Sequence, residues 1–164
     1  MYRLSQLVVY GIHGVCRVLE LEEKIVDKKP VTYYVLEPVA QPGARFYVPS
    51  HNAAAMSKIR ALTDRALLQQ MLDDRDDVAP WIQDENQRKQ HYRQFLGNMD
   101  AKELIRMIRC LESYRQSQAQ LGRKLHISDE NFMRDAKRIV TTEIAYVLEL
   151  DEKDVAAQLM DMLM

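Results

Sequence analysis

Residues 7–15 read Leu7-Val8-Val9-Tyr10-Gly11-Ile12-His13-Gly14-Val15. An apolar run rich in β-branched and aromatic side chains stops at a glycine and resumes at Val15, which spells strand, tight turn, strand. Glycine takes positive φ without steric cost, and a chain that reverses within so few residues needs that freedom. Outward from this unit the pattern repeats. Val15 to Glu22, Val31 to Leu36 and Arg45 to Val48 are β-prone, separated by Asp27-Lys28-Lys29-Pro30 and by Gln41-Pro42-Gly43. Pro-Gly suits the two central positions of a type II turn. Short strands at this spacing predict a small antiparallel sheet or barrel. In the last strand Phe46 and Val48 share one face, expected in the core, and Arg45 and Tyr47 share the other, open to solvent or a partner. About fifty residues is a marginal size for a barrel standing alone.

From about residue 53 the apolar period becomes helical. Thr63 is placed to cap a helix whose stripe is Leu67, Leu68, Met71 and Leu72. An acidic stretch, Asp73-Asp74-Arg75-Asp76-Asp77, and Pro80 then read as a linker, with Trp81 directly after it. A polar helix carrying Arg88, Lys89, Tyr92 and Arg93 runs to about Leu96 and is expected to stop at Gly97-Asn98. Asp100 and Glu103 have capping-box spacing ahead of a helix with Leu104, Ile108 and Leu111 inward and Lys102, Arg106 and Arg109 off that stripe. Gly122 breaks it. Ser128, with Asp129 and Glu130 in the first turn, starts a helix whose inner face is Phe132, Ala136, Ile139, Val140, Ile144 and Val147. A last helix begins near Asp151 and buries Val155, Leu159 and Leu163. The expected architecture is α+β: a β domain over residues 1–52 and an all-α domain over residues 53–164.

Composition narrows the function. Of 164 residues 47% are hydrophobic and 29% charged, the balance of a chain that folds. Lys plus Arg total 23 against 24 Asp plus Glu, a net charge of -1, which excludes a protein held on nucleic acid by bulk charge. No apolar run spans a bilayer and the first residues do not read as a signal peptide, so a soluble cytoplasmic protein with no membrane partner is expected. Cys16 and Cys110 give neither a disulfide framework nor a metal-ligand pair, and His13, His51, His91 and His126 are scattered singly. Neither a phosphate-cradling glycine loop nor a nucleophile elbow is present, so no metal, cofactor or catalytic residue is assigned and the chain is not read as an enzyme.

Charge distribution says more than the total. From Trp81 to Val140 there are twelve basic residues against eight acidic ones, in a chain that is otherwise acidic. Such a face can grip a few phosphates, although an ordinary solvated face is the simpler reading of charge alone. Trp81, the only tryptophan, sits beside it. It reads either as an exposed aromatic that stacks on or wedges into distorted nucleic acid, or as a half-buried anchor of its helix.

The ordered set of Leu7 to Val15, Val31-Thr32-Tyr33-Tyr34-Val35-Leu36, Tyr47-Val48-Pro49 and Asn52 resembles the CarD/CdnL family of bacterial transcription regulators, whose N-terminal module is shared with the transcription-repair coupling factor. The helical half is similar too, through Trp81, the Arg-Lys segment after it, Gly122-Arg123-Lys124-Leu125-His126, Ser128-Asp129-Glu130 and Glu143. The resemblance implies a Tudor-like β-barrel that docks on the RNA polymerase β subunit, partly by extending a sheet. It further implies a helical domain that contacts promoter DNA at the upstream edge of the bubble and stabilises the open complex, the protein acting as a monomer.

Mapped by position, the wedge is Trp81, the phosphate contacts are Arg88, Lys89, Arg93, Arg123 and Lys124, and the polymerase contacts are Lys24, Arg45 and Tyr47. Some members carry arginine at the positions of Lys24 and Tyr47, with Arg45 here as a substitute on the same face. Asp84 and Glu85 stand where some members are more basic. The rival reading is a polymerase-bound adaptor whose helical half is only a scaffold.

Overall fold

The computed structural model describes residues 1–164. The chain forms two compact units, Met1–Leu62 and Thr63–Met164. The first contains β1 (Leu7–Tyr10), β2 (Val15–Val26), β3 (Lys29–Pro38), β4 (Phe46–Pro49), the short helix α1 (Ala53–Met56) and β5 (Ile59–Ala61). The strands make one antiparallel sheet in the order β4-β3-β2-β1-β5, with β4 and β5 at its two ends. The boundary therefore lies ten residues beyond the expected 52/53. Ile59 pairs with Tyr10 and Ala61 with Val8, a long-range pairing that three residues cannot announce locally.

The two turns at the ends of β3 follow from their residues. Ala44 N–H donates to the Gln41 carbonyl at 3.1 Å around Pro42 and Gly43, whose φ of 92° only glycine adopts readily. The β2–β3 loop is tighter than Asp27 to Pro30. Val26 already faces Lys29, and Asp27 and Lys28 take the two positive-φ positions of a two-residue hairpin, with Pro30 inside β3 opposite Ile25.

The core of this sheet is Val8, Cys16, Val18, Tyr34, Leu36, Val48 and Ile59, with Tyr2, Tyr10, Phe46, Ala55 and Met56 packed around it. A bulge lies between Val18 and Glu20: Val18 faces Leu36 and Glu20 faces Val35, so Leu19 has no cross-strand partner. One extra residue reverses the side-chain parity of everything beyond it. Glu20, Glu22 and Lys24 consequently leave the core side, and the pairing of β2 with its β1 neighbour ends near Val18.

The second unit packs α2 (Arg65–Asp73), α3 (Glu85–Asn98), α4 (Ala101–Gln120), α5 (Ile127–Leu148) and α6 (Glu152–Leu163). None of these is long and apolar enough to cross a membrane. Most of the expected stripes are buried: Leu68 and Leu72 on α2, Leu104, Ile108 and Leu111 on α4, Ala136, Ile139, Val140 and Ile144 on α5, and Val155, Leu159 and Leu163 on α6; of the remaining expected positions Leu67 is exposed, and Met71, Phe132 and Val147 are half-buried at the edges of their stripes. Asp100 accepts from Glu103 N–H at 3.1 Å, and Asp151 caps α6.

Three helix ends differ from expectation. Asp64, not Thr63, caps α2; Thr63 instead donates through its N–H and hydroxyl to Glu143, both at 2.7 Å. Gly97 lies within α3, which ends at Met99 in the left-handed region, its side chain wholly buried. His126, not Ser128, precedes α5, which leaves Asp129 inside the first turn and free to serve another purpose.

The Asp73–Pro80 segment is no loose linker. Asp77 binds Arg106 Nε at 2.8 Å, and Ala79 N–H donates to the Arg106 carbonyl, so the segment is pinned along α4.

Candidate functional site

On the first unit, the reversed parity of β2 places Glu20, Glu22 and Lys24 beside β4. Register carries the row across the sheet: Glu20 faces Val35 and Val35 faces Tyr47. Lys24 Nζ lies 3.8 Å from the centroid of the Tyr47 ring and 3.7 Å from Glu22, and Arg45 lies 3.9 Å from Glu20. The three residues assigned to polymerase contact therefore occupy one exposed face. Glu20 and Glu22, absent from the sequence reading, complete it as an alternating set of charges around an aromatic ring. The signal for them was the period of two along β2, which becomes visible once the bulge is known.

On the second unit, Trp81 is half-buried at the start of the segment leading into α3. Its indole stacks on Tyr114 of α4, centroids 3.6 Å apart and planes 14° from parallel. Arg88 Cζ lies 4.4 Å from the same ring. A ring seated that closely over one face leaves no room there for a guanidinium, so the two groups cover opposite faces and Trp81 is sandwiched. Its Nε1 donates to Gln83 Oε1 at 3.2 Å.

Arg88, mapped as a phosphate contact, is turned into the fold. It is 2% exposed, and Nε and Nη2 donate to the two oxygens of Asp129 at 2.9 and 2.8 Å, while Nη1 donates to the Ile82 and Gln83 carbonyls. Asp129 is wholly buried. The hydrogen bonds to Asp129 raise the guanidinium pKa further above its ordinary value, so Arg88 stays charged. A fork-to-fork pair of this kind fixes orientation as well as charge.

Lys89 is half-buried and bound to Glu85 at 2.8 Å, which lowers the Glu85 pKa. Arg93, Arg123 and Lys124 are exposed, Arg123 and Lys124 on the Gly122 turn between α4 and α5. Two of the twelve basic residues between Trp81 and Val140, Arg88 and Arg109, and two of the eight acidic ones, Asp129 and Glu112, are buried, so the surface carries the whole excess. Part of it, counted in the sequence but not seen there as a cluster, rims a hollow of about 330 Å³ where Arg115, Arg134 and Lys137 surround Leu125 and Met133, with Glu130 at the edge. Burial lowers the Lys137 pKa.

Glu112 underlies this rim. Its carboxylate accepts from Arg115 at 2.9 and 2.6 Å and from Gln116 at 3.3 Å. Burial pushes its pKa up, but the hydrogen bonds and charge of Arg115 outweigh that and hold it below the usual carboxylate range. A depressed folded pKa contributes stability that is present above the unfolded value and is lost as pH falls through the folded one. Glu112→Gln is therefore expected to narrow the difference in urea midpoint between pH 7 and about pH 3.5 relative to wild type. An unchanged difference would exclude this linkage.

Cys16 and Cys110 are buried, and burial pushes both thiols up, Cys16 to about 12, so neither is a thiolate at neutral pH. Nowhere do three His, Cys, Asp or Glu side chains converge to hold a metal ion.

Residues 3–60 match the family model of the CarD-like/TRCF RID domain. The match covers nearly all of the first unit and is consistent with the CarD-like family and the N-terminal module it shares with the transcription-repair coupling factor. The first unit is thus a module of an RNA-polymerase-interacting type. Among curated proteins none matches the chain.

Proposed function

We propose that this protein is a CarD-like regulator of transcription initiation, in which a Tudor-like first unit docks on the polymerase β subunit and the second unit contacts promoter DNA at the upstream edge of the bubble. The observation that carries the reading is the match of residues 3–60 to the CarD-like/TRCF RID domain. Supporting it, Lys24, Arg45 and Tyr47 lie on one exposed face, and the outer half of β2 pairs only with β3 and leaves a strand edge free. Such an edge is suited to sheet extension by a partner strand.

The DNA-facing part rests on Trp81 and on the surface excess of positive charge. The phosphate contacts are Lys89, Arg93, Arg123 and Lys124, with Arg88 removed from the set and Arg115, Arg134 and Lys137 added. A surface excess of four charges binds free DNA weakly. Docking on polymerase raises the local concentration of the second unit beside the promoter, so weak intrinsic affinity suffices. Preferential contact with the melted state then shifts the opening equilibrium without chemistry.

The sandwich around Trp81 favours a second reading, in which that residue is only an anchor and the protein is an adaptor on polymerase. One experiment separates them: the lifetime of a promoter open complex with purified bacterial RNA polymerase and wild type, Trp81→Ala or Arg45→Glu. Under the proposed function wild type lengthens the lifetime, Trp81→Ala loses about tenfold of that lifetime, and Arg45→Glu weakens polymerase binding. A Trp81→Ala protein with the wild-type lifetime assigns the adaptor role instead.

A further inference from the structure

The sandwich has a consequence for how Trp81 can meet DNA, and it rests on the proposed contact between Trp81 and the promoter. Both faces of the indole are occupied within the second unit: Tyr114 lies 3.6 Å away on one side and Arg88 lies 4.4 Å away on the other. Arg88 cannot yield its place, because its guanidinium is bound to the wholly buried Asp129 and to the carbonyls of Ile82 and Gln83. Tyr114 is half-buried on α4, and it is the jaw that side-chain rotation could open.

We infer that Tyr114 is a positioning residue that clamps Trp81 against Arg88, so that the indole enters a distorted minor groove by its edge and does not stack between bases. A ring held in this way has already lost its rotameric freedom before DNA arrives, and the contact then costs less to form. Edge-on entry also fits a step that is already unstacked, since a thin wedge needs only an opened gap and no facing base. Nothing in the sequence marked Tyr114, which lies 33 positions from Trp81 and on α4, whereas Trp81 precedes α3. It is the register of α4 that brings the two rings together.

Trp81 is the only tryptophan among eight tyrosines, so fluorescence excited selectively at the indole, at about 295 nm, reports this clamp. The test compares wild type, Tyr114→Phe, Tyr114→Ala and Trp81→Ala in two assays: acrylamide quenching of the free protein, and open-complex lifetime with polymerase. Tyr114→Phe keeps the stack and is expected to match wild type in both. Tyr114→Ala bares one of two covered faces, so the quenching constant should about double and the lifetime fall about fivefold, as loss of an aromatic pair implies.

If Trp81→Ala shortens the lifetime but Tyr114→Ala does not, the clamp has no positioning role and the DNA contact stands. If Tyr114→Phe fails as Tyr114→Ala does, the hydroxyl acts and the stacking argument is overturned. If Trp81→Ala leaves the lifetime unchanged, the DNA contact itself falls, and the positioning role falls with it whatever the quenching shows.

Discussion

Asp129→Ala is expected to lower the unfolding free energy of the second unit by about 3–5 kcal/mol, the usual cost of leaving a buried charge without its partner. The wild-type pair is 2% and 0% exposed and joined by two hydrogen bonds of 2.9 and 2.8 Å. Removing the carboxylate leaves a guanidinium that neither water nor the Ile82 and Gln83 carbonyls can compensate. The pair itself need not stabilise the fold by anything like that amount, because desolvating both ions offsets most of their attraction.

The double variant Arg88→Met, Asp129→Leu should therefore recover most of the loss. Urea unfolding followed by Trp81 fluorescence measures this directly and reports on the second unit only. An Asp129→Ala protein within about 1 kcal/mol of wild type would mean that the charge finds solvent. The same substitution frees the Arg88 side of the Trp81 sandwich, so a change in Trp81 emission should accompany the loss of stability.

Arg88 also shows where sequence reading ends. It sits on a polar helix among Lys89 and Arg93, and its local surroundings are those of a solvated, phosphate-binding residue. Its burial is decided by Asp129, 41 positions away on α5. Asp129 was legible only as an acid in a helix first turn, where the macrodipole suffices to explain it. The features that were legible are those set within a few residues: the Pro42-Gly43 turn, the Asp100 and Asp151 caps, the end of α4 at Gly122, and the inward stripes of α4 to α6.

Features set by distant pairing were not legible. β5 exists because β1 offers it an edge, and Met99 ends α3 in a left-handed conformation because its buried side chain offsets the strain, which left Gly97 unused. The shared outer face of Arg45 and Tyr47 was legible from alternation along the last strand, and Lys24 beside Tyr47 only through the family resemblance. Their acidic companions, Glu20 and Glu22, depended on a bulge that no turn residue announces.

The second large effect is expected at Arg109, which the helical pattern placed off the buried stripe. It is 1% exposed and binds no carboxylate. Its Nε donates to the Leu163 carbonyl at 2.7 Å, Nη1 to the Asp77 carbonyl at 3.2 Å, and Nη2 to the Met71 and Leu72 carbonyls at 3.0 and 3.1 Å. Three of those oxygens belong to the last turn of α2 and the last residue of α6, groups that helix geometry leaves without partners, and the fourth to the pinned segment between α2 and α3. One planar fork thus closes two helix C-termini, where the macrodipole also favours a cation. Burial lowers its pKa, but an arginine remains charged at any pH where the protein is folded.

Arg109→Met keeps the apolar stem and removes all four hydrogen bonds, and is expected to destabilise the unit by about 3–5 kcal/mol. Arg109→Lys should recover little, because an ammonium on one stem cannot span carbonyls lying in three directions. Amide hydrogen exchange locates the damage: the last turns of α2 and α6 should lose protection first, with the middle of α4 following only on global unfolding. Uniform loss of protection along the unit would show that Arg109 supports the core as a whole and does not act as a shared cap. A wild-type midpoint in Arg109→Met would show that the four carbonyls find water when the guanidinium is gone.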